Sequence, residues 1–246
     1  MRLPILYALT AALSVASTVK LMTADDVIAR AAAARGGAEK IAAVHTLRMT
    51  TRLELKADTT APLVVEMQRP LHIREELALP DGTLVTTFDG KAGWQLEPAA
   101  KEARALGAND LRNLANEADF DGPLSGAKAK GMKVELVGHE MVCNRDAWHL
   151  RVTLANGDVQ SFFYDAETNL EVKWIGGRRD ADGNVTLFES LFSDFRTVDG
   201  LQFPFVVESG VVGSHQKQRL GFEKIEVDPP LAADRFAKPA AAPASR

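Results

Sequence analysis

One stretch limits the folds open to this chain more than any other: residues 98–124, PAAKEARALGANDLRNLANEADFDGPL. It is a helix-periodic segment set inside a long run of strand-like sequence. Leu111, Leu114, Ala115 and Ala118 fall at i, i+3, i+4 and i+7, one apolar stripe on a helix. Gly107 or Asn109 is placed to cap its start, and Asp119-Phe120-Asp121-Gly122-Pro123 to end it. A helix with one apolar stripe has to bury it, and a sheet is the surface on offer. The sequence therefore predicts an α+β, mainly β chain: a large curved antiparallel sheet, an incomplete barrel, with helices covering its concave side.

The strands announce themselves by a change of period. From His45 the apolar residues recur every second position: Leu47, Met49, Leu53 and Leu55, then Leu63, Val65 and Met67. Beyond Pro70 come Leu71, Ile73, Leu77 and Leu79, and here Glu75 stands awkwardly on the apolar face. Asp81-Gly82 and Asp89-Gly90 read as hairpin turns around Leu84, Thr86 and Phe88, with Ala92, Trp94 and Leu96 following. After the helix the pattern resumes at Met132, Val134 and Leu136, and Asn156-Gly157 predicts a type I′ hairpin. A meander of about ten or eleven strands is expected. Ahead of it, Thr23 with Asp25 and Asp26 marks a helix start, Val27, Ile28, Ala31 and Ala34 its stripe, and Gly36-Gly37 its end.

The ends and the charge narrow the function. Met1-Arg2 is followed by an apolar run to Ala16 that is short for a bilayer, with small residues at 14–17, which reads as a signal peptide over 1–17. The expected organisation is one domain over 18–238 and a flexible tail over 239–246. The net charge of −4, with both signs interspersed, offers no basic stripe to phosphates, so nucleic acid is not an expected partner. A lone Cys143 rules out an intramolecular disulfide and supplies no lipid-attachment site behind the apolar leader.

Catalytic motifs are scarce. The five histidines have no metal-ligand spacing, and G-x-S-x-G, P-loop and dinucleotide patterns are missing, so no metal, cofactor or catalytic residue is expected. Asp119 and Asp121 offer a carboxylate pair for acid–base work, but Asp-x-Asp-Gly-Pro more simply makes a hydrogen-bonded turn. Asp180 to Asn184 reads as a hairpin turn rather than a calcium loop. What remains is an apolar sheet face larger than two modest helices can cover. Met49, Met67, Phe88 and Trp94 on that face would line a hollow suited to acyl chains, or equally fill a solid core.

Several segments in order carry a resemblance: Gly36-Gly37-Ala38-Glu39-Lys40; Thr86 to Leu96 (TTFDGKAGWQL); Asp119 to Leu124 (DFDGPL); Val137-Gly138; Phe163 to Thr168 (FYDAET); Asp194-Phe195-Arg196; and Asp199 to Pro204 (DGLQFP). Together they resemble the LolA/LolB-like superfamily of bacterial outer-membrane lipoprotein-sorting proteins, across nearly the whole chain beyond the leader. That resemblance implies a half-barrel hollow lidded by helices. It implies a periplasmic carrier or chaperone for lipids or lipoprotein acyl chains, with a membrane-bound donor or receptor protein as partner. Leu47, Met49, Leu53, Val65, Met67, Phe88, Trp94, Leu111, Leu114 and Phe120 are then the expected lipid-binding residues. The alternative on the same fold is a non-enzymatic envelope module for protein interaction or stress sensing.

Overall fold

The computed structural model describes residues 21–56 and 59–240; the expected signal peptide lies outside the described residues. Helix α1 (Ala24–Ala34) begins at Thr23. The Thr23 hydroxyl accepts from the Asp26 amide at 3.1 Å, and the Asp26 carboxylate accepts from the Thr23 amide, a reciprocal cap. Gly36, at φ 120°, then turns the chain where a Cβ would sit 2.4 Å from the Gly200 carbonyl oxygen. A short α2 (Ala38–Ala43) follows.

Six strands come next: β1 (Thr46–Lys56), β2 (Thr59–Gln68), β3 (His72–Leu79), β4 (Gly82–Asp89), β5 (Gly93–Leu96) and β6 (Arg104–Ala105). Helix α3 (Ala108–Ala118) leads into seven more: β7 (Lys133–Val142), β8 (Arg145–Thr153), β9 (Val159–Asp165), β10 (Glu171–Arg179), β11 (Val185–Val198), β12 (Leu201–Val211) and β13 (Gln218–Val227). They form one 13-stranded antiparallel sheet in the order β6-β5-β4-β3-β2-β1-β13-β12-β11-β10-β9-β8-β7. Each half is a meander. The halves meet where β1 pairs with β13, with Leu47 opposite Val227 and Met49 opposite Ile225.

This order dictates the role of the central helix. The chain leaves the sheet at one edge, β6, and re-enters at the other, β7. Helix α3 and residues 119–132 must therefore cross the whole sheet. They reach both halves: α3 touches β3 and β4 on one side and β10 on the other. Six strand spacings of about 4.8 Å separate β3 from β10 along a flat sheet, some 29 Å. An 11-residue helix is only about 16 Å long. The sheet must curl for the helix to touch both, and α3 lies inside the curl.

Strand parity sorts the residues by face. Leu47, Met67, Ile73 and Phe88 lie side by side on four neighbouring strands and form a packed cluster with Leu114 and Ala118 of α3, Ile41 of α2, and Phe203 and Phe205 of β12. A second inner cluster seats Val27 and Ala31 of α1 on Leu150, Val152 and Phe162. On the reverse face the segment after β13 lies across β2–β4. Arg235 reaches Glu66 and Glu76, and Phe236 packs on His72. Burial alone would raise the Glu66 carboxyl, but its bonds to Arg48 and Arg235 outweigh that and hold it below the usual range.

Two expectations need correction. The sheet has 13 strands rather than about ten or eleven, and two-residue β6 sits in sequence too brief to show a period. The Asn156-Gly157 hairpin forms, but with only Gly157 at positive φ (85°). The Gly157 amide donates to the Leu154 carbonyl and the Leu154 amide to the Asp158 carbonyl, a type I turn with a bulge rather than type I′. Past β13, Ala240 forms an isolated bridge with Glu102.

Candidate functional site

The inner face is a trough filled at one end. Helices α2 and α3 gather over the rows Leu47–Met67–Ile73–Phe88 and Met49–Val65, while α1 covers the β8–β9 side. The next rows toward the far end carry Leu63, Leu77 and Leu84 in register, with Leu53 opposite Leu220 and Leu220 opposite Val207. These six aliphatic side chains face inward, are half-buried, and stand outside every packed cluster of the described residues. A sheet face that continues apolar beyond its cover is the kind of surface that receives a ligand or partner.

At the filled end the crossing segment is held by ion pairs. Arg69, at the end of β2, donates to both oxygens of Asp121, to the Val44 carbonyl at 2.5 Å and to the Ile41 carbonyl at 2.9 Å. Its guanidinium also lies 4.7 Å from the centre of the Phe120 ring. Lys130 donates to Asp119 at 2.6 Å and to the Gly122 carbonyl at 3.0 Å. Both carboxylates of the Asp-x-Asp motif are thus committed to holding the strap. A polar row on α3 does the same toward β10. Asn109 and Asn113 donate to the Asp180 and Arg179 carbonyls, each at 2.9 Å, and Glu117 accepts from Arg178 at 2.7 Å. Their i, i+4, i+8 spacing is legible in the sequence once the helix is known to touch a strand end.

Two cavities flank the strap. One of about 540 Å³ lies between the strap and the β8–β9 hairpin, walled by Leu71, Ala115, Met132 and Leu154 with Asp119 and Asp121 at its rim. The other, about 280 Å³, lies under α1 and is lined by Ile28, Arg35, Leu124 and Tyr164. Nearby Glu171 is pushed by burial up to about 7, opposed by the charge of Arg35.

The residues singled out from the sequence divide three ways. Leu47, Met67, Phe88 and Leu114 are buried in the filled end, and Met49, Val65, Leu111 and Phe120 pack against that cluster. Leu53 belongs to the open end. Trp94 is on the opposite face: it pairs with Thr87, not Phe88, and packs with Val85, Leu96 and Ala103. The irregular 89–93 turn shifts strand parity there, so counting by twos misplaces it. None of the ten lines the 540 Å³ cavity. Leu63, Leu77, Leu84 and Leu220 fit the same alternation but are not among the ten expected residues.

One polar chain invites a catalytic reading. His149 bonds Glu140 through Nδ1 at 2.6 Å and Ser161 Oγ through Nε2 at 3.0 Å, across β7, β8 and β9. Serine, histidine and acid are in reach of each other, but Ser161 lies on a strand paired on both sides, opposite Arg151 and Ile175. Its neighbouring amides are spent on the ladder and are not free to stabilise an oxyanion. Among the described residues no group of three His, Cys, Asp or Glu side chains is placed to hold a metal, and no helix is long and apolar enough to cross a membrane.

This open antiparallel sheet, its inner face crossed by helices, is a fold that the chain shares with several solved structures. A LolA superfamily protein from Nitrosomonas europaea matches with a TM-score of 0.59 at 14% identity, over 89% of this chain and 99% of that one. A DUF1329 family protein from Desulfovibrio piger matches at 0.59 and 12% identity, over 86% and 96%. A Vibrio parahaemolyticus domain described as outer membrane lipoprotein-sorting matches at 0.55 and 11% identity, over 86% and 95%. At such identities the likeness establishes the fold. No protein-family model matches the chain, and no curated protein matches it.

Proposed function

We propose that this protein is a periplasmic carrier or chaperone that shelters lipids or lipoprotein acyl chains in its trough and exchanges them with a membrane-bound donor or receptor. The observation that carries this reading is the open end. Leu53, Leu63, Leu77, Leu84, Val207 and Leu220 present a continuous aliphatic floor that the protein's own packed clusters do not use. Each methylene laid on such a floor and removed from water is worth about 0.8 kcal/mol. A single acyl chain therefore suffices for binding without any catalytic group. The likeness to a lipoprotein-sorting domain supports the same reading. The Asp121–Arg69 and Asp119–Lys130 pairs keep the crossing strap seated while cargo is held.

The test is direct. Protein purified without detergent is extracted with organic solvent and the extract analysed by mass spectrometry; delipidated protein is then titrated with the neutral fluorescent probe N-phenylnaphthylamine. Bound lipid and saturable uptake are expected, weakened by Leu77→Gln in the trough and unchanged by Trp94→Leu on the reverse face. An empty extract together with no saturable binding would refute the carrier reading.

A further inference from the structure

The apolar inner face carries one acid that no described residue neutralises. Glu75 sits between Val65 and Thr86 on the adjacent strands, in the row where the filled end gives way to the open one. β2 and β4 present no charge in that row. From above come Glu117 of α3 and Arg178 of β10, and these are bonded to each other at 2.7 Å. The next charge on the face, Arg104, is three strands away and bonded to Gln95. Glu75 itself makes no hydrogen bond and no ion pair; its side chain is half-buried, with protein crowding its carboxyl. Two carboxylates and one guanidinium leave an excess of negative charge beside a hydrocarbon floor. An unpaired carboxylate so placed is costly until it takes up a proton or meets a cation.

We propose that Glu75 is the head-group residue of the trough and selects single-chain amphiphiles bearing a protonated amine. This rests on the carrier reading above. The ammonium pairs with the Glu75 carboxylate, and its other donors face Thr86 and Glu117. The tail then runs over Leu63, Leu77 and Leu84 toward the open end. A fatty acid would bring a third negative charge to the same spot and is disfavoured. Burial pushes Glu75 up to about 7, with Glu117 adding to the effect and Arg178 opposing it. An incoming amine must displace that proton, so amine binding strengthens as pH rises through about 7 while carboxylate binding weakens.

The experiment is displacement of a neutral fluorescent probe, N-phenylnaphthylamine, from the full chain by dodecylamine, dodecanol and dodecanoate, at pH 6 and pH 8. At pH 8 dodecylamine is expected to bind about tenfold more tightly than dodecanol, the gain of one charge-assisted contact. Dodecanoate should bind least. The amine preference should shrink at pH 6. Glu75→Gln, close to isosteric, should abolish the preference and leave dodecanol unchanged, whereas Glu39→Gln on the exposed α2 should alter nothing. No preference for the amine, or a preference that survives Glu75→Gln, overturns the proposal. If dodecanol binds without any head-group discrimination, only the role of Glu75 falls. If none of the three displaces the probe, the carrier reading falls with it.

Discussion

Replacing Asp121 by Asn tests whether the crossing strap is held by charge. The two side chains keep the same shape, so packing is preserved and only the carboxylate is lost. In the wild type Arg69 donates to both Asp121 oxygens, and the pair is largely shielded, at 26% and 14% side-chain exposure. The bond to Asp121 also raises the Arg69 guanidinium above its ordinary value, against the opposing effect of burial. A hydrogen bond to a charged group contributes about 1.5–3 kcal/mol. The amide retains one acceptor and turns a donor toward the guanidinium, so Asp121→Asn should cost about 2 kcal/mol. Arg69→Ala also strips the Val44 and Ile41 carbonyls of their donor and should cost about 3–4 kcal/mol. For a chain of this length each kcal/mol lowers Tm by about 2–4 °C, which places the Asn variant about 4–8 °C below wild type. Thermal unfolding followed by circular dichroism measures this. Limited proteolysis adds a local readout, with faster cutting expected within 119–132. An Asn variant that melts within about 1 °C of wild type, with an uncut strap, would show that apolar packing alone holds the crossing.

Two further outcomes follow from the trough. Leu114→Ala removes the buried centre of the α3 stripe and should cost about 3 kcal/mol in urea unfolding; a loss below 1 kcal/mol would mean that the helix is not anchored there. Glu75→Gln should change how stability depends on pH. With a folded value of about 7 against an ordinary 4.5, the native state keeps a proton that the unfolded state has released between those two pH values. Wild-type stability therefore gives up on the order of 3 kcal/mol as pH rises from about 4.5 to about 7. The Gln variant lacks that decline, so its advantage should be larger at pH 8 than at pH 5, and an equal difference at both would contradict the burial of this acid.

Much of the architecture was legible because alternation and turn residues are local signals. The helix at Ala108–Ala118, its abrupt stop at Asp119, the helix start at Thr23 and the antiparallel meander all follow from short-range pattern. The pairing of β1 with β13 was not legible, since no local pattern says which distant strand completes a sheet. The site was half legible. Alternation placed Leu47, Met49, Leu53, Val65, Met67 and Phe88 on one face correctly, but could not tell the covered end from the open one. That distinction depends on where α3 crosses, a tertiary fact. Trp94 went wrong through a parity change at a turn. Glu75, a misfit within the apolar alternation, was the one residue whose meaning needed both sequence and structure.

The seam between β1 and β13 joins segments about 180 residues apart. While the chain is being threaded or made, each half-sheet has a bare inner border, and the strand that would cover it belongs to the opposite extremity. Loop closure on that scale is slow, and unpaired borders invite foreign strands. A truncation just before Gln218 would thus do more than shorten the protein: it would leave two six-stranded ribbons, β1–β6 and β7–β12, with β1 permanently available to whatever extended peptide comes by.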